Sequence, residues 1–465
     1  MKLKTLLTGI LLFCLVQNHI AWGAATSPAV VRLHGETITL VVENQPLSTI
    51  LGELSRQGVL VSIDPGVNPT ISGTFKDQPV DIVLKSILKS LDYALVWQSV
   101  DRETPSSLHL AQITIFQNGR QDRALPLVQH GNLSIVQNTD GSYHVKDILL
   151  LQVDQTTPER TTIEIVAQLG GTIVGRYAPL GIIQVRLPPG SDVSAIAELV
   201  SDMPGILTSE PDYAYLLGEG TPIVSAATLP DPWRSPAGSE GVIVAVLDSG
   251  LLPQYENSPF VKGVYDAISP GAEVKDTLGH GTQMTLVAAG VVNPIGAATQ
   301  ETSQVVSIRA FDDNGFTSNY SLMRGVTYAI ESDARVLSLS WGAEQVSPLF
   351  ASTIQYAAGQ GLVLVAAAGN APTGTPVYPA AYKDVIGVGA LSPDGSPWKQ
   401  SNYGNFVATQ ALGVAHLPVG HNGDPGVYAG TSISTAYTAR LVSAIINQDP
   451  DADLDTILTQ LAAEN

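Results

Sequence analysis

Cysteine is almost absent from this 465-residue sequence, in which Cys14 is the only one. It lies within an apolar run at residues 6–16 that follows two lysines, a pattern typical of a secretory signal. We therefore expect residues 1–23 to be cleaved as a signal peptide. The mature chain then has no thiol, which excludes a disulfide framework, a cysteine nucleophile and a thiolate metal site.

Positive charge and long apolar runs are also scarce. The chain carries 23 basic against 42 acidic residues, a formal net charge of -19. An acidic surface repels nucleic acid and anionic membranes, so neither is an expected partner. No apolar run after the signal is long enough to span a membrane. We expect an exported protein that is soluble after signal cleavage, in the periplasm of a Gram-negative bacterium or secreted; an uncleaved N-terminal anchor is the alternative.

Motifs for a catalytic metal are missing as well. The histidines form no HExxH sequence and no other ligand spacing, so a metallohydrolase is poorly supported. We expect no cofactor for the chemistry.

The first part of the mature chain shows two rounds of strand and helix patterns. Apolar residues alternate at residues 37–42 and recur at helical spacing from Leu47, which predicts a βαββαβ unit over residues 31–116. This unit resembles the short N-terminal domain of secretins and TonB-dependent receptors in the segments VVENQPLSTILGELSRQGVLVSID and GTFKDQPVDIVLKSILKSLDYALVWQ. The resemblance implies an envelope protein as partner; a spacer without a partner is the alternative.

A second βαββαβ pattern is predicted over residues 147–217, after a polar linker at 117–146. It resembles the propeptide domain of subtilisin-like proteases in the segments QLGGTIVGRYAPLGIIQVRLPPGSDVSAIAELV and PGILTSEPDYAYL. That resemblance implies an intramolecular chaperone and inhibitor, whereas a permanent structural domain is the alternative. Residues 218–240 are rich in Gly, Pro and Ser and predict an exposed linker, a natural place for a processing cut.

The remaining residues, 241–465, carry four polar side chains next to buried strands or helix starts. Asp248 closes the apolar run in GVIVAVLDSG, and His280 lies between two glycines at the start of a predicted helix. Asn370 ends the strand-like run GLVLVAAAGN, and Ser432 begins the helix in YAGTSISTAYTARLVSAIINQ. Each pattern alone fits a cap or turn residue, but chance accounts poorly for all four in this order.

The segments VLDSG, GHGT, AAAGN and GTSIST resemble the subtilase, or subtilisin-like, family of serine peptidases. By this resemblance Ser432 is the nucleophile, His280 the general base and Asp248 the residue that orients the base. Asn370 and the backbone N–H of Ser432 would stabilise the oxyanion. Two departures from the family pattern are Gln283-Met284 after the HGT motif and Ala436 where proline is usual.

The resemblance also implies where a polypeptide substrate binds. The implied contacts are Ser340, Trp341, Gly342, Ala367, Ala368 and Gly369, with Ala371 and Val377 at the rim and floor of the specificity pocket. None of these side chains is charged, so we expect cleavage after apolar residues. Subtilases often bind structural calcium, and Asp312 and Asp313 are available acidic residues, although the sequence does not assign the ligands.

The sequence thus predicts an α/β protein with a subtilisin-like parallel-sheet catalytic domain preceded by two small α+β domains. The predicted function is an exported serine endopeptidase that is made as a self-processed zymogen. The alternative is an envelope-assembly or sensing protein in which the peptidase fold serves as a binding platform.

Overall fold

The computed structural model describes residues 30–218, 221–225, 241–298, 301–419 and 425–464, apart from short stretches within the first range (35, 57–58, 65–66, 68, 89–90, 100–107, 117–123, 127–132 and 139). The predicted signal peptide and residues 226–240 of the predicted linker lie outside the described residues. Within the described part of the chain, no helix is both long and apolar enough to cross a membrane.

The N-terminal unit has two small sheets around one apolar core. Its elements are β1 (Val30–His34), β2 (Thr37–Pro46), α1 (Leu47–Arg56), β3 (Leu60–Ile63), β4 (Thr70–Pro79), α2 (Val80–Ile87), β5 (Asp92–Ser99), β6 (Leu108–Phe116) and β7 (Leu125–Pro126). The sheet orders are β1-β2-β4 and β5-β6-β3-β7. The structure therefore differs from a single βαββαβ sheet, because β6 and β7 add to β3 and leave β1, β2 and β4 as a separate layer.

The middle unit is one antiparallel sheet covered by two helices. Its elements are β8 (Ile135–Gln137), β9 (Tyr143–Val153), α3 (Glu159–Gln168), β10 (Thr172–Tyr177), β11 (Ile182–Arg186), α4 (Val193–Ser201) and β12 (Ile206–Leu216). The elements from β9 to β12 occur in the predicted βαββαβ sequence, and the strand order is β10-β11-β9-β12. The predicted linker at 117–146 differs from the structure, since β7 pairs with β3 and β8 pairs with β9.

The C-terminal domain is built on a seven-stranded parallel sheet in the order β15-β16-β14-β18-β19-β20-β21. The elements from residue 221 onward are β13 (Thr221–Ser225), β14 (Ile243–Asp248), α5 (Pro253–Glu256), β15 (Val261–Asp266), α6 (His280–Ala289), β16 (Gln304–Arg309), β17 (Phe316–Ser318), α7 (Asn319–Glu331), β18 (Ala334–Leu339), α8 (Pro348–Gly359), β19 (Val363–Ala367), β20 (Val385–Leu391), β21 (Thr409–Leu412), β22 (Val414–Leu417), β23 (Gly426–Ala429), α9 (Thr431–Gln448) and α10 (Leu454–Glu464).

Two apolar clusters cover the two faces of this sheet. Strands that are buried on both faces read as continuous apolar runs, as β14, β18 and β19 do. Helix α9 is buried over nearly its whole length and packs against β18, β19, β20 and α6. The carboxyl ends of β14, β18 and β19 therefore lie beside the start of α9, which is where open parallel sheets place their sites.

The middle unit is joined to the C-terminal domain by two strand pairings. Residues Ala214–Leu216 of β12 pair antiparallel with β17, and the Leu217 N–H continues this ladder to the Gly315 carbonyl. Strand β13 pairs antiparallel with β23, which leads into Gly430 and Ser432. Residues 221–225 of the predicted linker therefore form a strand, whose backbone pairs with β23.

Two buried carboxylates of β12 contact the starts of two helices in the C-terminal domain. Glu210 accepts hydrogen bonds from Asn319 Nδ2 (2.9 Å) and Ser347 Oγ (2.5 Å), and Asp212 accepts one from the Tyr320 N–H (3.0 Å). Burial raises the pKa of Glu210 to about 7 and that of Asp212 to about 6, although their hydrogen bonds oppose the shift. Both groups should return towards their ordinary pKa values when the middle unit separates.

We predict that docking of the middle unit weakens as pH rises. Because the docked state holds the proton on Glu210 up to about pH 7, docking is fully favoured below its ordinary pKa of 4.5 and is weakened as pH passes through about 7. Amide exchange at residues 214–217, corrected for intrinsic rates, should therefore be faster at pH 8.5 than at pH 5.5. The isosteric change Glu210→Gln should flatten this dependence, and Glu198→Gln on the exposed face of α4 should not.

Candidate active site

A buried carboxylate and a buried imidazole meet at the carboxyl edge of the parallel sheet. Asp248 is the last residue of β14, and His280 is the first residue of α6. Asp248 Oδ1 lies 2.7 Å from His280 Nδ1, and both side chains are 1% exposed. The same Asp248 oxygen accepts a hydrogen bond from the Ser249 N–H at 2.7 Å. This geometry fixes Nδ1 as the protonated nitrogen and turns Nε2 away from Asp248.

A second carboxylate, Asp276, organises the loop that carries His280. Its two oxygens accept hydrogen bonds of 2.7–2.8 Å from the Ser249 hydroxyl, the Gly279 N–H, and both the N–H and hydroxyl of Thr282. The Ser249 hydroxyl in turn accepts the Gly281 N–H at 2.7 Å. The backbone on both sides of His280 is thereby tied to the turn that follows Asp248.

These neighbours set the protonation of His280. Burial lowers the pKa of the imidazole, whereas the Asp248 charge, its hydrogen bond and the Asp276 charge raise it. The net direction is upward, so the pKa of His280 lies above its ordinary value of 6.5. A reaction that needs neutral His280 should therefore fail on acidification at a pH above 6.5.

The serine predicted as nucleophile is the second residue of α9. Ser432 Oγ donates to the Ser340 carbonyl oxygen at 3.0 Å, and Ser340 Oγ donates to the Ser432 carbonyl oxygen at 3.2 Å. Ser432 is 7% exposed. Strand β13 pairs with β23, the strand that leads into Gly430, and Tyr215 of β12 contacts Trp341, the residue that follows Ser340.

Asn370 lies directly beside the helix start that bears Ser432. Its Oδ1 accepts both the N–H and the hydroxyl of Thr431 at 2.9 Å. These two donors hold the amide oxygen towards α9, and a Cβ placed at Gly430 would lie 3.4 Å from Asn370 Nδ2. The NH₂ end therefore faces the backbone just before Ser432, where it can donate to an oxygen that forms near the serine.

Four of the residues predicted to line a specificity pocket lie close together. A Cβ built on Gly342 would lie 2.4 Å from Val377 Cγ1 and 3.6 Å from the Ala367 carbonyl oxygen, and one on Gly369 would lie 3.7 Å from Val377 Cγ2. The Val377 side chain thus borders both glycines. Ala367 and Ala368 are buried and uncharged.

Three features of this region were missed by the sequence analysis. They are Asp276 with Ser249, the edge strand β17, and the side chain of Trp341, for which only a backbone contact was predicted. The spacing of Asp276 four residues before His280 was available as a signal, but an acidic residue in a polar loop is ordinary. Pairing of β17 with β12 depends on tertiary structure and leaves no local pattern.

The acidic pair considered for calcium has protein partners. Asp312 accepts the N–H groups of Asn314, Phe316 and Leu133, and Asp313 accepts Lys275 Nζ at 2.6 Å. Among the described residues, no three His, Cys, Asp or Glu side chains lie close enough together to hold a metal ion.

The residues at the two departures from the family pattern are all buried in the structure. Gln283 is buried and donates from Nε2 to the Val419 carbonyl oxygen at 2.6 Å, while Met284 packs in the core. Ala436 is buried within α9.

Comparison with known proteins agrees with this geometry. Residues 239–461 match the model of the subtilase family, Peptidase S8. Thermitase of Thermoactinomyces vulgaris is 29% identical over 226 residues, which covers 48% of this chain and 81% of thermitase. The minor extracellular protease Epr of Bacillus subtilis (strain 168) is 30% identical over 220 residues, which covers 47% of this chain and 34% of Epr.

A solved structure shares the fold. Fervidolysin of Fervidobacterium pennivorans, described as a keratinolytic enzyme related to subtilisin, superposes with a TM-score of 0.51 at 20% identity, over 68% of this chain and 56% of that chain. The predicted subtilisin-like fold is confirmed, and the match to the subtilase family model is confined to residues 239–461. The chain spans about a third of the length of Epr.

We predict that Asp276→Asn impairs catalysis and moves its pH dependence. The change removes a negative charge that raises the pKa of His280, so the acid limb of kcat/KM should shift to lower pH. Weaker support of the His280 backbone should also lower kcat/KM by about 10- to 100-fold, the effect expected of a displacement near 1 Å. Asp394→Asn, in an exposed turn away from this loop, is the matched control. An unshifted acid limb in a folded Asp276→Asn protein would contradict the assignment.

Proposed function

We propose that this protein is an exported serine endopeptidase that is made as a self-processed zymogen. The observation that carries the proposal is the 2.7 Å contact between Asp248 Oδ1 and His280 Nδ1, with Ser432 at the start of the helix packed against α6. In the resting state the Ser432 hydroxyl donates to Ser340, so a rotation about its Cα–Cβ bond has to precede proton transfer to His280 Nε2.

The reaction would follow from these positions. Ser432 Oγ attacks the scissile carbonyl carbon while His280 accepts its proton, and the imidazolium that forms is stabilised by Asp248. The Asn370 amide and the Ser432 N–H at the start of α9 donate to the oxyanion. His280 then gives the proton to the leaving amine, and water repeats the sequence on the acyl-enzyme. Polypeptides in extended conformation are the proposed substrates.

Export and docking complete the proposal. The basic and apolar start of the chain supports a cleaved signal peptide and a location in the periplasm or outside the cell. The relative Epr is named as an extracellular protease. The N-terminal unit, by its resemblance to secretin and TonB-receptor domains, would bind an envelope protein, and any structural calcium would be held outside the catalytic residues.

The middle unit would inhibit the enzyme by lying in the substrate groove. Residues 214–217 form a strand on β17, and residues 221–225 form a strand on β23, which leads into Ser432. A segment that pairs with the catalytic domain through its extended backbone is bound as an extended substrate would be. We therefore narrow the expected processing cut, which the sequence places between Leu217 and Glu240, to the bonds between Leu217 and Thr221.

We predict that wild-type protein cleaves itself within residues 217–221 and that Ser432→Ala remains uncut. Intact mass spectrometry of the two purified proteins distinguishes the products. Asn370→Ala should slow the cut by about 100- to 1000-fold, the effect of one oxyanion donor in this family. Ser396→Ala, in an exposed turn, serves as a control for substitution alone. Identical processed masses for wild type and Ser432→Ala would assign the cut to another protease.

We predict a preference for cleavage after Leu, Met, Phe or Tyr. The pocket between Gly342 and Gly369 has no charged lining, so a cation entering it loses hydration without gaining a partner. An apolar side chain gains about 1.5–3 kcal/mol on full burial, which corresponds to about tenfold or more in rate. Val377→Ala should favour Phe and Tyr over Leu by enlarging the pocket. Profiling with a peptide library tests both statements, and a dominant preference for Arg or Lys would overturn the assigned lining.

A further inference from the structure

The side chain of Tyr215 occupies an aromatic pocket one residue away from the atom that holds the nucleophile. Its ring lies 5.4 Å from the Trp341 ring, and the side chain is 4% exposed. Trp341 follows Ser340, whose carbonyl oxygen accepts the Ser432 hydroxyl. Whatever fills this pocket is therefore placed close to the catalytic serine.

The pocket is rigid because other rings hold Trp341 in place. Phe311 meets it edge-on at 5.9 Å, and Phe350 lies 5.8 Å away. All three rings belong to the C-terminal domain, and they are almost fully buried while the middle unit is docked. The walls of the pocket should consequently persist when the middle unit leaves.

The pocket also has a polar end. The Tyr215 hydroxyl donates to Asn319 Oδ1 at 2.9 Å, and Asn319 is fully buried at the first position of α7. The Asn319 NH₂ group donates to Ser347 Oγ (2.8 Å) and to Glu210 Oε1 (2.9 Å). Both amide hydrogens are thus used, which leaves only the oxygen to face the phenol. Ser347 belongs to the same domain as Asn319, so this orientation remains after Glu210 departs.

The Tyr215 hydroxyl stays protonated at acidic and neutral pH, so it can donate a hydrogen bond there. Burial raises the pKa of the Tyr215 hydroxyl well above its ordinary value, and the nearby Glu210 charge acts in the same direction. The hydroxyl therefore keeps its proton, and an acceptor at Asn319 is the matching partner.

We infer that the pocket formed by Trp341 and Asn319 is a substrate subsite that selects tyrosine by its phenol hydroxyl. The inference rests on the proposed function, since it takes the strand at residues 214–217 as lying in the substrate groove. On that basis the enzyme favours extended polypeptides with tyrosine about three to six residues before the cut, the spacing from Tyr215 to the bonds between Leu217 and Thr221. A purely apolar pocket would accept phenylalanine equally well.

The probe is a synthetic 18-residue peptide with the sequence of residues 209–226. Its cleavage by the self-processed protein is compared with that of peptides carrying Phe or Ala in place of Tyr215. We expect kcat/KM to fall by about 2- to 10-fold for Phe, the factor for one ordinary hydrogen bond, and by about 10- to 100-fold for Ala, which also loses the buried ring. Replacing Leu216, whose side chain is 49% exposed, by Ala is the matched control and should change little.

The protein variant Asn319→Ala should cleave the Tyr and Phe peptides at equal rates, whereas Asn319→Asp, which keeps an acceptor oxygen, should retain the preference for Tyr. The comparison of peptides on wild-type protein stands by itself if Asn319→Ala does not fold. Equal kcat/KM for Tyr and Phe on a protein that cleaves both and is labelled by a fluorophosphonate would overturn the subsite and leave the proposed function intact. Absence of both labelling and cleavage would overturn the proposed function, and the subsite with it.

Discussion

The site depends on one close approach between two pieces of backbone. A Cβ on Gly281 would lie 2.4 Å from the Gly250 carbonyl oxygen and 2.5 Å from the Gly250 nitrogen, so α6 begins in contact with the turn that follows Asp248. Gly250 itself has φ +115°, and a Cβ there would lie 2.2 Å from the Lys275 carbonyl oxygen. The Asp248–His280 hydrogen bond follows from this contact, because the two residues lie at the facing ends of the packed segments.

The same contact explains why a second carboxylate is buried there. Asp276 joins the Ser249 hydroxyl on one segment to Thr282 and Gly279 on the other. Every hydrogen bond described for it comes from a buried or loop donor, so a neutral apolar residue would leave several N–H and O–H groups without an acceptor. Its charge also reaches His280, which couples the structural role to the protonation of the base.

Much of the fold and site could be predicted from the sequence because the signals are local. Apolar runs predicted β14 and β19, with Asp248 and Asn370 at or near their ends, whereas Ser340 was predicted from the resemblance alone. Contacts between distant segments could not be predicted. Strand β13 pairs with β23, and β12 pairs with β17. These pairings depend on which sheet edges remain free after the sheets have formed, and no hydrophobic periodicity in the sequence indicates them. The ring contact of Trp341 was missed for the same reason, because its partner, Tyr215, lies in a distant segment of the chain.

Two titrations in the molecule act in the same direction. Glu210 and Asp212 hold protons while the middle unit is docked, so acid favours the docked state, and His280 with a raised pKa is also protonated in acid. Under the proposed function, acidification both closes the substrate groove and removes the base. As pH rises through about 7, ionisation of Glu210 opposes docking, and His280 becomes neutral only at a pH above its ordinary pKa of 6.5. The zymogen would then be released as pH rises, and the same rise in pH gives His280 the neutral form that catalysis needs. Glu210 and Asp212 lie in a different part of the structure from His280 and share no hydrogen bond with it among the contacts described.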